Sequence, residues 1–371
     1  MMTRHIRRPV VLVLVIGVVA GVFVGCPGEP ANREIHVTIT DENGGERQQQ
    51  TTREQIQQAA KSEGELNWYT SLPMQRAEEF AALFEQQHDY IRVHLTREST
   101  FDIVRRVERE ISDRDVRADV MHVLDPAVFT SLKNRGDLYR YHPEGARRVA
   151  PEYKSPGYWT GARLVVICMA RSTRVDEQDA PKTWLDLLTP QWKGKIALKD
   201  AQTSGSAYAQ YYFLREKYGR AFWANMAQQA PTMYKSGDEM LQALIAGDRD
   251  IAGGVLGYKV QKYIANDAPV EPIWPMDGVP VCLGPVAILR ACPHPNAAKL
   301  FVEFMLSQEG QTQLSKMLRC YSPRSDVPPP EGARALSELN LLRPATGWTE
   351  YLNKQSDLRA EYGSLFHPES E

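Results

Sequence analysis

The sequence predicts an α/β protein of two lobes, each a mostly parallel sheet flanked by helices, with two crossing strands as the hinge. Three observations carry this. The chain has 371 residues, more than one hydrophobic core usually organises and enough for two. From about residue 53 onward, short strand-like runs alternate with amphipathic runs of helical period, the order that a sheet wrapped by helices produces. Two long apolar runs, at 161–170 and 279–291, bracket the second alternating unit, as in a chain that crosses between lobes twice. With 43% hydrophobic and 24% charged residues, the composition is that of a packed globular protein.

The elements follow in order. Arg4, Arg7 and Arg8 precede an apolar run from Pro9 to Val24, and Gly25-Cys26 is followed at once by polar and turn-forming residues, the layout of an export signal. Residues 1–25 read as a signal peptide. Phe-Val-Gly-Cys at 23–26 resembles a lipobox, which makes Cys26 the lipidated N-terminus of the mature chain. The alternative is an uncleaved anchor, although the sixteen apolar residues fall short of the roughly 20 that a bilayer core demands. Both readings place the globular part outside the cytoplasm, at the membrane. Residues 26–52 form a polar tether with at most one short strand, "EIHVTIT".

The first lobe spans 53–165. "REQIQQAAKSEG" is a helix closing on Gly64, and "ELNWYTS" is a strand. "MQRAEEFAALFEQQH" is a helix with Ala77, Phe80, Ala81 and Phe84 on one face. "IRVHLT" and "ADVMHVL" are strands, separated by the helix "FDIVRRVEREIS" and followed by a helix ending at Gly136. The second lobe, 166–274, repeats this grammar: the strand "GKIALKD", a helix "SAYAQYYFLREKYG" ending at Gly219, the helix "DEMLQALIAG" and the strand "RDIAGGVLG". Residues 275–371 hold the return strand and C-terminal helices that complete the first lobe.

Charge and sulfur exclude several classes. Removing residues 1–25 shifts the formal charge from −2 to about −5. No basic cluster is dense enough to neutralise a row of phosphates, so nucleic acid is not a partner. Cys168 and Cys282 lie in apolar strands and read as buried free thiols, whereas a Cys292–Cys320 bridge stays open. No cysteine or histidine spacing matches a zinc site. No nucleophile elbow, zincin helix or Walker-type loop gives an enzyme reading a local motif.

In open α/β sheets ligands bind beyond the carboxyl ends of strands, and hydroxyls and aromatics recur there. They are Tyr69, Thr70 and Ser71 after the first strand, Ser99 and Thr100 after the second, and Asp125 after the third. In the second unit they are Thr203, Ser204, Gly205 and Ser206 at a helix start, and Tyr258 after the last strand. Any one hydroxyl is also explained as a helix cap worth about 1 kcal/mol. At 203–206 the glycine admits close approach and the free N–H groups of the helix start form an anion cradle. Tyr208, Tyr211, Tyr212 and Tyr218 read as packing residues. His88, His94 and His122 read as structural. Trp159 and Trp184 read as exposed, with Trp184 anchoring its loop.

"GELNWYTSLP", "ADVMHVLDPAVFTSLKNRGDL", "GYWTGARL" and above all "PKTWLDLLTPQWKGKI" followed by Thr-Ser-Gly resemble the iron(III)/phosphonate-type solute-binding proteins of bacterial ABC importers. The resemblance runs from about Gly64 to Val327. It implies the type 2 periplasmic binding fold, closure of two lobes on a ligand, an ABC permease as partner, a monomer, no cofactor and no catalysis. Ferric-binding members carry tandem tyrosines where this chain has Gly257-Tyr258. The expected solute is therefore a small oxygen-rich anion, a phosphonate or phosphate ester, held by the residues named above, with Asp125 facing an amino group. The alternative is a ferric ion held by Tyr69, Glu98 and Tyr258. A secreted phosphate-ester hydrolase and a sensory binding protein are the remaining readings.

Overall fold

The computed structural model describes residues 34–40, 46–344 and 347–367. The predicted signal peptide, the lipidation candidate Cys26 and part of the tether lie outside these residues. Among the described residues no helix is long and apolar enough to cross a membrane. Strand β1 (Glu34–Thr40) pairs antiparallel with β2 (Glu46–Thr52), two strands where the sequence predicts at most one.

Helix α1 (Arg53–Glu63) begins with a reciprocal capping box between Thr52 and Gln55 and ends on Gly64, whose φ of 71° only glycine adopts cheaply. Strand β3 (Glu65–Thr70), α2 (Met74–Gln87), β4 (Arg92–Arg97), α3 (Thr100–Asp113), β5 (Val120–His122) and α4 (Pro126–Arg135) follow in the predicted order. Helix α2 buries Ala77, Phe80, Ala81 and Phe84, the face its period selects. β3 pairs in parallel with β4 on one side and β5 on the other.

After the short β6 (Lys154–Ser155) comes β7 (Trp159–Ser172), buried along its whole length. The second unit comprises β8 (Ile196–Lys199), α5 (Gly205–Gln228), β9 (Thr232–Tyr234), α6 (Gly237–Ala246), β10 (Ile251–Leu256), α7 (Gly257–Ile264) and β11 (Val270–Ile273). Gly219, with φ 76° and ψ 178°, breaks α5 as its position predicts, but a second helical stretch continues to Gln228. Strand β12 (Val279–Ile288), α8 (Pro295–Leu306), α9 (Gln308–Leu318), β13 (Leu341–Leu342), α10 (Trp348–Asn353) and α11 (Gln355–Phe366) complete the chain.

The sheet runs β4-β3-β5-β12-β7-β10-β8-β9. Its outer parts are parallel, but β12 joins β5 and β7 antiparallel and β10 joins β7 antiparallel. The two long apolar runs are thus neighbours at the centre. Residues 160–166 of β7 pair with β12, and residues 167–172 pair with β10 and β11. One strand therefore carries the chain from the first half of the sheet to the second. Trp68, Phe80, Phe84, Phe301 and Phe304 pack around β3, with Trp68 and Phe301 centroids 4.9 Å apart, so α2 and α8 cover that half. Burying such rings is worth about 1.5–3 kcal/mol each.

Two expectations, on tryptophan exposure and on the segment 275–371, are corrected here. Trp159 and Trp184 are buried, at 5% and 0% exposure. Trp184 does anchor its loop, donating from Nε1 to the Gly278 carbonyl at 2.7 Å. Cys168, Cys282, Cys292 and Cys320 are all free thiols, which decides the Cys292–Cys320 pairing that the sequence leaves open. Helix α11 packs against α5 through Glu361, which meets Arg215 and Tyr211, so the segment 275–371 does not keep to the first half.

Candidate functional site

Beyond the carboxyl ends of β8 and β10, a cleft is bordered by the starts of three helices: Ser206 of α5, Gly237 of α6 and Leu256 before α7. Two of these starts are capped by side chains. Ser204 accepts from the Ala207 N–H at 3.3 Å, and Ser236 accepts from Glu239 at 3.1 Å. The start of α7 has no capping side chain, which leaves N–H groups and the positive end of its dipole toward the cleft.

The backbone of β10 is shaped for this. A register shift between Ala252 and Val255 bulges the strand, and Gly254 sits at φ 154° with the Gln210 amide where a Cβ would stand. Gln210 in turn donates to the Gly253 carbonyl. The bulge re-aims Val255 to Gly257 and so positions Tyr258 and Lys259.

Positive charge dominates the cleft. Lys199, at the end of β8, reaches the Ser206 Oγ at 3.4 Å and forms no ion pair among the described residues. Burial, together with the nearby Lys259, pushes its ammonium below the usual lysine range. Lys259 is paired with Asp238. From β7, Arg163 is 8% exposed, donates to the Ser71 Oγ at 3.3 Å, and keeps a buried Nε without a partner. It too forms no ion pair among the described residues, and burial lowers its pKa. An unpaired buried cation costs several kcal/mol, so something must compensate it.

The two cations belong to one neighbourhood. The Cys282 thiol is pushed up to about 12 by burial, and it lies in the fields of Lys199, Asp125 and Arg163. Tyr258 is raised by burial and feels Lys259, Arg163 and Asp238. Arg163, bonded to Ser71 in the first half, thus acts electrostatically on Tyr258 of the second half and on the same Cys282 thiol as Lys199, while the cleft itself is lined by Lys199, Ser206 and Lys259. A Cβ on Gly205 would lie 3.6 Å from the Leu124 carbonyl, which sets the 203–206 corner beside the end of β5. Just beneath, His122 is fully buried, stacked near Trp68, with neither ring nitrogen partnered.

Other predicted site residues have internal work. The Tyr69 hydroxyl donates to Glu110 of α3 at 2.7 Å, and burial first, then this carboxylate, pushes its pKa up to about 12. Thr70 donates to the His122 carbonyl at 3.0 Å and accepts from Leu72. Ser99 is an exposed cap of α3, bonded to Asp102, and Thr100 is the first residue of that helix. Glu98 is paired with Arg106. Asp125 caps α4 through Ala127 at 2.9 Å and receives Gln355 at 3.5 Å, while burial raises its pKa. Thr203 is exposed beside the corner. Tyr208, Tyr211 and Tyr212 are packed inside. Among the described residues no group of three or more His, Cys, Asp or Glu gathers as a metal site.

Sequence reading passed over Arg163 and Lys199. The signal was present: Arg163 is the one charged residue in the otherwise apolar "GARLVVICMA", and a charge in a central strand demands a partner.

The fold is shared with solved structures. Iron-bound HitA from Pseudomonas aeruginosa superposes with TM-score 0.70 at 22% identity, covering 81% of this chain and 99% of that one. AfuA from Actinobacillus pleuropneumoniae, with fructose-6-phosphate bound, gives TM-score 0.71 at 22% identity over 82% and 98%. An uncharacterized protein of Haemophilus influenzae is 26% identical over 269 residues, 68% of this chain and 76% of that protein. The family of bacterial extracellular solute-binding proteins matches residues 116–346, and with the architecture above this establishes that the chain belongs to that family.

Proposed function

We propose that the protein binds a small oxygen-rich anionic solute of phosphonate or phosphate-ester type outside the cytoplasm and hands it to an ABC permease. The observation that carries this is the pair Arg163 and Lys199, one from each half of the sheet, neither with a carboxylate among the described residues. A dianion between them would satisfy both charges, with Ser71, Ser206 and Tyr258 as hydroxyl donors and the uncapped start of α7 adding N–H groups. Thr203, Ser204 and Gly205 would form the rim. Residues 53–165 and 166–274 act as lobes, and β7 and β12 flex between them, so that the solute favours the closed form by touching both. Cys26 is the lipid anchor in this reading, and no catalysis is involved.

A ferric ion is the second reading, although burial outweighs Lys259 and Arg163 at Tyr258 and keeps its phenol raised, which disfavours a phenolate. Against it, Tyr69 and Glu98 are committed to α3. A thermal-shift series on metal-stripped protein separates the two. Phosphate or a small phosphonate at about 100 times its Kd should add about 2.7 kcal/mol. Stabilisation by ferric salts alone, with every anion inert, would overturn the anionic reading.

A further inference from the structure

We infer that the C-terminal helices α10 and α11 are a strap that holds the two halves of the sheet together before any solute arrives. The inference rests on the two-lobed reading above, but its evidence is separate from the binding cleft.

On the second half, the strap is fastened to α5. On the α5 side, Glu361 accepts from Arg215 at 2.7 and 3.1 Å and from the Tyr211 hydroxyl. Tyr362 is 1% exposed and packs on Tyr211 with centroids 5.2 Å apart. Tyr351 lies 5.0 Å from Tyr208 and 4.8 Å from Tyr212.

On the first half, α10 packs along α4 with Trp348 and Tyr351 buried, and polar contacts add to this. Gln355 reaches Asp125, the cap of α4, at a long 3.5 Å. The Trp348 indole donates to the Glu152 carbonyl at 3.0 Å. Arg359 lies between the halves: its guanidinium stands 5.3 Å over Phe101 of α3 and 4.7 Å over Tyr208 of α5. It also donates to the Ala201 carbonyl and, at 2.7 Å, to that of Gln202, the two residues before the Thr203–Ser206 corner.

Both ends are anchored: an aromatic cluster with a part-buried carboxylate–guanidinium pair on α5, and the packing of α10 on α4 with a hydrogen bond, an indole bond and a cation over the exposed Phe101 on the first half. Moving the halves apart must break one of them. The family match stops at residue 346, just before this segment.

The test is small-angle scattering of the full, solute-free chain, with stopped-flow association of inorganic phosphate. Gln355→Ala combined with Phe101→Ala should enlarge the radius of gyration and speed phosphate association about fivefold, because the open fraction rises. Trp348→Phe, which removes only the indole donor, should shift both in the same direction by less, and circular dichroism melts identify any variant that fails to fold. Unchanged scattering and association in both variants overturn the strap. Expanded scattering with no phosphate bound by any form leaves the strap standing and removes the anionic reading, and fast phosphate binding with unchanged scattering does the reverse.

Discussion

At the scale of single residues, Arg163 is the informative one. Its Nε is buried without a partner and its Nη2 meets only a serine hydroxyl, so it costs stability in the solute-free protein, and under the proposed function a bound anion would offset that cost. Arg163→Met should therefore raise the melting temperature while weakening solute binding by about 1.5–3 kcal/mol, the worth of hydrogen bonds to a charged group. Calorimetry alongside a thermal melt checks both signs. At the corner, Thr203→Ala with Ser204→Ala should weaken binding by about 1–3 kcal/mol; Ser204 also caps α5, so the melt is needed to separate the two losses. His122 makes a third prediction. Burial first, then Arg163, holds it well below 6.5, so it is neutral when folded and takes a proton only when unfolded. The unfolded chain then binds the extra proton below about pH 6.5, and stability falls on acidification with a slope of up to about 1.4 kcal/mol per pH unit. Denaturant titrations at pH 7.5 and 5.5 measure this, and His122→Phe should flatten the difference.

At the scale of elements, the bulge in β10 ties the sheet to the cleft. Gly254→Ala places a methyl on the Gln210 amide at a φ of 154°. The expected loss is on the order of 2–4 kcal/mol, from strain and collision together. Shortening Gln210 to Ala in the same chain should recover the steric part and leave the backbone part, which a double-mutant cycle resolves. Helix α7 starts without a side-chain cap because Leu256 cannot supply one, and under the proposed function the solute would meet its free N–H groups.

At the scale of the whole molecule, the continuous strand β7 links the two halves, and β12 runs antiparallel beside it. Bending at the changeover near Val166 and Ile167 would move one half against the other without breaking either hydrophobic core. Four thiols stay reduced in the described chain, held up by burial to about 12 for Cys168, Cys282 and Cys292 and about 11 for Cys320. Stability should then be indifferent to reductant. Alkylation after unfolding without reductant should label all four, and a mass shift for only two would contradict the structure.

The succession of strands and helices was legible because its causes are local: the face of Ala77, Phe80, Ala81 and Phe84, the capping box at Thr52 and Gln55, the left-handed Gly64 and Gly136. Family motifs in the same sequence pointed to a solute-binding protein. Tertiary structure alone decided which hydroxyls are free, since Tyr69 and Ser71 differ by two residues yet one is spent on Glu110 and the other meets Arg163. It also decided that α10 and α11 span the halves and that Arg163 and Lys199 are left without an ion pair among the described residues. Periodicity and capping act over a few residues, whereas a missing counter-ion is a property of everything packed around a charge, which only the folded chain brings together.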